Sequence, residues 1–190
     1  MVMMAGSRLT VEAFYQRRDE WPEGGRWCEL IEGEVFELSP PDVMHSGVVL
    51  NLASKLGVYA QETQNGYACF DIGFVVARCP DTMRMINIAY FTAGSRFGLS
   101  DVGYSEQPPA LAVELASSRD RQETMSQRVD DFLSGGVPLV WVLDTVDHYV
   151  EINRKDAVLQ KCSAGDILAG DDILPDFECE VGPLFDVPQW

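Results

Sequence analysis

The sequence is short of cations, short of histidine and free of long apolar runs, and each shortage removes a class of function. Lys and Arg number 14 against 30 Asp and Glu, giving a formal net charge of −16 and a pI near 4.3. Affinity for nucleic acid is built from Lys and Arg that displace counterions from phosphates. The balance therefore disfavours a nucleic-acid platform, and no Lys/Arg cluster in the sequence marks a local basic groove. Two histidines, His45 and His148, are too few for a His-rich metal centre. Cys28, Cys69, Cys79, Cys162 and Cys179 stand far apart without a CxxC pair. Their number and spacing argue against a zinc site or a disulfide framework and predict reduced thiols in a cytoplasmic protein. No stretch reaches the roughly 20 apolar residues that cross a bilayer. The opening residues lack the basic-then-apolar order of a signal peptide. P-loop, GxGxxG and GxSxG motifs are missing, as is a Cys/His nucleophile pairing.

What is present predicts one globular unit over residues 1–190, because 46% hydrophobic and 23% charged residues in 190 match a single domain with a full core. Thr10 is placed to cap a short helix over Val11–Arg18. "CELIEGEVFEL" alternates on either side of Glu32-Gly33, a hairpin pattern. From Asp42 to about residue 62 the apolar period becomes helical, with His45, Val48, Val49, Leu52, Leu56 and Tyr59 on one face. Strands are expected at Tyr67–Ala77 and Met83–Phe91, then a loop over 92–107. "ALAVELA", a helix from Asp120 to about Leu133, and "VPLVWVLD" form a βαβ unit whose strands are apolar on both faces. "HYVEI" and "AVLQKC" complete a hairpin. The sum is an α/β (α+β) domain with a mixed sheet.

Five residues stand out against this background. Glu114 sits in the middle of Ala110–Ala116, where every neighbour favours burial, and a buried carboxylate is costly without a cation, a metal or donors. It is either a metal ligand or general base, or one half of a structural ion pair. Arg128 lies between Met125 and Phe132 on the apolar face of its helix and so points inward. A guanidinium stays charged and can orient a phosphate or a water but cannot act as a base. Asn87 is the single amide inside "MINIAYF". Glu29 alternates with Cys28 and Leu30, and a lone strand glutamate is ordinarily a solvent-facing residue. His45, on the apolar stripe of the long helix, reads as a core or supporting histidine more readily than as a proton shuttle.

The succession "LTVEAF", "CELIEGEVFELSPP", "HSGVVLNLASKL", "RMINIAYF", "ALAVELASSRD", "FLSGGVPLVWVLD" and "ILPDFECEV" resembles the Uma-type restriction endonuclease family of the PD(D/E)xK nuclease-like superfamily, in order and over nearly the whole chain. The resemblance implies a restriction-endonuclease-like core, a mixed sheet flanked by helices, often assembled as a homodimer. It also implies a nucleic-acid substrate, which the net charge disfavours. The family's site uses an Asp after a Pro, a Glu on the next strand, a Lys on the following helix and a supporting hairpin Glu. Carried over, these fall on Asn87 (after Ile86), Glu114, Arg128 and Glu29.

Under that resemblance Glu114 and Asn87 would hold Mg²⁺ or Mn²⁺, which polarises the phosphodiester and acidifies the attacking water. Asn87 removes one negative charge from a hard-cation site, and Arg128 removes the titratable amine. The expectation is a degenerate site with weak or no metal-dependent nuclease activity, in which Glu114 and Arg128 close as an internal ion pair. The alternative is a non-catalytic dimeric or partner-binding module on the same fold.

Overall fold

The computed structural model describes residues 2–4, 8–92 and 103–187. In chain order the strands are β1 (Val2–Met4), β2 (Cys28–Ile31), β3 (Glu34–Glu37), β4 (Tyr67–Ala77), β5 (Thr82–Phe91), β6 (Tyr104–Ser105), β7 (Leu111–Ala116), β8 (Leu139–Asp144), β9 (Tyr149–Asn153), β10 (Gln160–Ser163), β11 (Ile167–Ala169) and β12 (Glu178–Glu180). The helices are α1 (Val11–Gln16), α2 (Val43–Thr63) and α3 (Arg119–Ser134). No helix among the described residues is long and apolar enough to cross a membrane.

Local sequence accounts for most element ends. Thr10 accepts the Ala13 N–H to start α1, which stops at Gln16, two residues short of expectation, and passes into 3-10 turns. Asp42 accepts the His45 N–H at 2.8 Å to start α2, and Ser118 accepts the Arg121 N–H to start α3. Between β2 and β3 both turn residues are left-handed, Glu32 at φ 50° and Gly33 at φ 79°. A side chain on Gly33 would also meet Arg8 Cβ at 2.9 Å, so glycine is required there.

The main sheet runs β1-β3-β2-β5-β7-β8-β9-β10, mostly antiparallel, with β7 and β8 parallel on either side of the α3 crossover. Alternation along the central strands divides the core. Ile88, Tyr90, Val113, Leu115, Trp141 and Leu143 face α2 and the C-terminal segment, while Ala89, Ala112, Ala116, Val140 and Val142 face Met125, Val129 and Phe132 of α3. Both faces of β7 and β8 are covered, which explains why their sequences are continuously apolar. A third cluster joins α1 to the hairpin through Val11, Phe14, Cys28 and Leu30.

One loop expectation needs correction. The predicted 92–107 loop contains β6, which pairs with β4 at Gly73 and Phe74; residues 93–102 lie outside the described part. The C-terminal "AGDDILPDFECEVGPLF" carries a small antiparallel sheet of its own, β11 with β12, whose three-residue strands are too short to show a period.

One irregularity positions everything that follows. β5 has three neighbours: β4 along one edge, and β2 and β7 sharing the other. β2 meets β5 at Leu30/Met83, and β7 meets it from Ile88/Val113 to Tyr90/Leu111. The sheet forks between Met83 and Ile88, leaving backbone groups of β5 and β7 without a strand partner.

Candidate active site at the sheet fork

Side chains fill the fork. Glu29, from β2, accepts the Met85 N–H at 2.9 Å through Oε1, and Arg128, from α3, donates through Nη2 to the Met85 carbonyl at 2.7 Å. Asn87 accepts the Leu115 N–H at 3.1 Å through Oδ1, standing in for the ladder just beyond the last β5–β7 pair. These three side chains replace the missing strand bonds, which buried backbone groups require.

The same residues build a buried ionic cluster. Arg128 Nη1 lies 2.6 Å from Glu29 Oε1, and Arg128 Nε lies 2.8 Å from Glu114 Oε2. Arg84, on β5, donates from Nη1 to Glu29 Oε2 at 3.0 Å and from Nε and Nη2 to Asp131 Oδ2 of α3, at 2.8 and 2.6 Å. Glu29 is fully buried, Glu114 is 1% exposed and Arg84 is 3% exposed. The expectation of Glu29 as a solvent-facing strand residue is corrected: Arg84 and Arg128 give it two cations, and Met85 a donor.

The two glutamates are not equivalent. Burial pushes the Glu29 carboxyl up, but Arg128 and Arg84 outweigh burial and hold it below its usual range. Burial also pushes Glu114 up, and there the single shared guanidinium does not compensate, so its carboxyl stays raised. Geometry agrees, since Glu114 Oε1 is buried with no protein partner. Arg128 is held even more firmly protonated than a free guanidinium: burial opposes its charge, and Glu114 and Glu29 more than offset that.

Asn87 has a second neighbour. Ile86 packs on the α3 side of the sheet and Ile88 on the α2 side, so the strand's alternation breaks at Asn87. Across β4, Asp71 takes a left-handed φ of 47° between the Phe70/Ile88 and Ile72/Ile86 pairs. Such irregularities re-aim side chains. With Oδ1 committed to Leu115, the amide nitrogen faces His45 Nε2 at 3.4 Å, while His45 Nδ1 lies 3.4 Å from Ser117 Oγ. Nε2 must then act as acceptor, which puts the imidazole proton on Nδ1. His45 is buried, and that burial, together with Arg121, lowers its pKa to about 4. It is neutral at working pH, a supporting residue and not a proton carrier.

The fork brings Glu29, Glu114 and Arg128 into one hydrogen-bonded cluster, whereas Asn87 bonds the Leu115 N–H and faces His45 instead. It adds Arg84 and Asp131, which spacing could not reveal because each is an ordinary residue until the strand and the helix meet. It also gathers Arg84, Arg121 and Arg128 around one cavity, where the sequence showed no basic cluster.

The donor set does not fit a divalent metal. Mg²⁺ and Mn²⁺ need several free oxygens. Both Glu29 oxygens, Glu114 Oε2 and Asn87 Oδ1 already accept hydrogen bonds, leaving only Glu114 Oε1. A guanidinium spans the two glutamates, and among the described residues no group of three or more His, Cys, Asp or Glu could hold a metal.

A family model described as "Putative restriction endonuclease", Uma2, matches residues 11–182. The chain belongs to the Uma2 family. The Uma2 segment includes all four site positions and every strand from β2 to β12. Among solved structures, the chain is similar to "a putative nuclease belonging to DUF820" from Anabaena variabilis ATCC 29413, with 17% identity, a TM-score of 0.76 and coverage of 93% of this chain and 97% of that one. At that identity the likeness shows the shared fold. No curated protein matches the chain. Family and fold together support an endonuclease-like protein.

Proposed function

We propose that this Uma2 member keeps the endonuclease scaffold but does not sustain metal-dependent phosphodiester cleavage. The observation that carries this reading is the placement of Arg128 between Glu29 and Glu114, at 2.6 and 2.8 Å. A fixed monovalent cation there neutralises the carboxylates that a hard divalent ion would need. Asn87 in place of an aspartate lowers the charge of the site further. The net charge of −16 also opposes approach of a nucleic-acid backbone. The test is cleavage of supercoiled and single-stranded DNA and of RNA in Mg²⁺ and Mn²⁺. No turnover above a Glu114→Ala control is expected, and Glu114-dependent turnover overturns the proposal.

The scaffold also has a surface suited to a second copy of the chain. Leu50 is 43% and Phe70 49% exposed, and together with Trp27 and Val49 they border one groove on the α2 side. Homodimerisation through this patch is the accompanying proposal, tested by sedimentation of the protein beside Leu50→Asp/Phe70→Asp. A cytoplasmic location belongs to the same proposal, supported by five unpaired cysteines.

A further inference from the structure

The chain holds four asparagines, Asn51, Asn65, Asn87 and Asn153. Three are committed. Asn51 donates from its amide nitrogen to the Pro183, Leu184 and Asp186 carbonyls, Asn87 bonds the Leu115 N–H and faces His45, and Asn153 donates to the Val140 carbonyl at 3.5 Å. Asn65 is exposed, lies just past the end of α2 and is followed by Gly66. Asn65-Gly66 is the sole Asn-Gly pair in the sequence. Asparagine is thermolabile, because the backbone nitrogen of the next residue can attack its side-chain amide carbon. A side chain on that next residue hinders the approach, and glycine has none.

The fold fixes this pair in place. Gly66 has a positive φ of 122°, and a Cβ there would collide with the Phe91 carbonyl oxygen, so the position demands glycine. Asn65 is anchored by its backbone, the N–H donating to Thr63 Oγ1 at 3.3 Å and the carbonyl accepting the Tyr90 hydroxyl at 3.0 Å. The Gly66 N–H, by contrast, makes no hydrogen bond among the described residues. The Tyr59 hydroxyl stands within hydrogen-bond reach of the Asn65 side chain. A hydroxyl that donates to the amide oxygen draws electrons from the amide carbon and stabilises the oxyanion that attack creates.

We propose that Asn65 is a site of spontaneous deamidation in the folded protein, carried out by the Gly66 nitrogen with water as the co-reactant. The Gly66 nitrogen gives its proton to hydroxide and bonds to Asn65 Cγ. The Cγ–Nδ2 bond breaks, and Nδ2 takes a proton from water and leaves as ammonia, closing a succinimide ring. Water then adds to one of the two ring carbonyls. Breaking the new bond from Cγ to the Gly66 nitrogen leaves aspartate, and breaking the original peptide bond leaves isoaspartate, with the main chain running through the side chain. Nothing is oxidised or reduced. Either product adds one negative charge to a chain already at −16. Isoaspartate also lengthens the main chain ahead of β4 and shifts the carbonyl that Tyr90 holds. The reaction uses no residue of the fork, so it stands or falls separately from the non-cleaving reading.

The test is incubation of the whole folded protein at pH 6.5 and pH 8.5, followed by mass spectrometry of the tryptic peptide spanning residues 56–78, in which Asn65 is the sole asparagine. A gain of one mass unit at Asn65 is expected, at least tenfold faster than at Asn51, Asn87 or Asn153 and at least tenfold faster at pH 8.5 than at pH 6.5. Aspartate and isoaspartate forms should separate as two peaks, and the isoaspartate protein should melt below the unmodified one. Asn65→Gln, which cannot close the five-membered ring as readily, stays unmodified over the same period. Three outcomes overturn the proposal: Asn65 that reacts only in protein unfolded by urea, a rate no faster than that of the other three asparagines, or aspartate without isoaspartate, which means direct hydrolysis and no attack by Gly66.

Discussion

Arg128 donates from Nε to Glu114 Oε2 at 2.8 Å and leaves Glu114's other oxygen without a protein partner. Glu29, by contrast, has both oxygens engaged, by Arg128, Arg84 and the Met85 N–H. If Glu114 is neutral, the remaining cluster balances, with Glu29 and Asp131 set against Arg84 and Arg128.

That asymmetry predicts unequal costs for the same substitution. Glu29→Gln leaves two buried guanidiniums short of a carboxylate and should destabilise by about 3–5 kcal/mol. Glu114→Gln preserves the charge balance and an acceptor for Arg128 Nε, so its cost should stay within about 1 kcal/mol. Urea unfolding of the two variants beside wild type checks this, and equal losses would contradict the assignment.

The two carboxyls also carry opposite pH signatures. The folded pKa of Glu29 lies below its ordinary 4.5, so its contribution is present above that value and is lost as pH falls through the folded pKa. The folded pKa of Glu114 lies above 4.5, so its contribution is present in acid and is lost as pH rises through the folded value. Glu114→Gln should therefore gain on wild type as pH rises from about 4.5 towards neutrality. Unfolding free energies at a series of pH values read the difference directly, and parallel curves would count against a raised Glu114.

His45 supplies a third prediction. An unfolded histidine titrates near 6.5 and this one near 4, so its neutral burial stabilises the protein above about 6.5 and that stability is lost as pH falls towards 4. Nitrogen NMR should find the Nδ1–H tautomer at pH 7. In Asn87→Asp a carboxylate would face Nε2, which should raise the histidine pKa by at least one unit and move the proton to Nε2. An unchanged spectrum would separate Asn87 from His45.

Much of the fold was legible because it rests on local signals. The cap at Thr10, the helical period from Asp42, the Glu32-Gly33 turn and the two-sided apolar strands β7 and β8 each carry their own pattern. β6, β11 and β12 were not, because strands of two or three residues have no period to read. At the site, Glu114 and Arg128 were visible as charges in apolar settings. Arg84 and Asp131 were not, since their pairing spans 47 residues and depends on where α3 lands. Glu29 was undervalued for the same reason: the fork that buries it is a property of three strands meeting, and no one of them encodes it.

The central claim is that Arg128 occupies the place a divalent ion would need. Calorimetric titration with Mn²⁺ of wild type, of the Asn87→Asp/Arg128→Lys double variant and of Glu114→Ala tests it most directly. The account predicts no saturable binding to wild type or Glu114→Ala, and binding by the double variant, in which a carboxylate is restored and the guanidinium removed. Saturable Mn²⁺ binding by wild type that disappears in Glu114→Ala would contradict it.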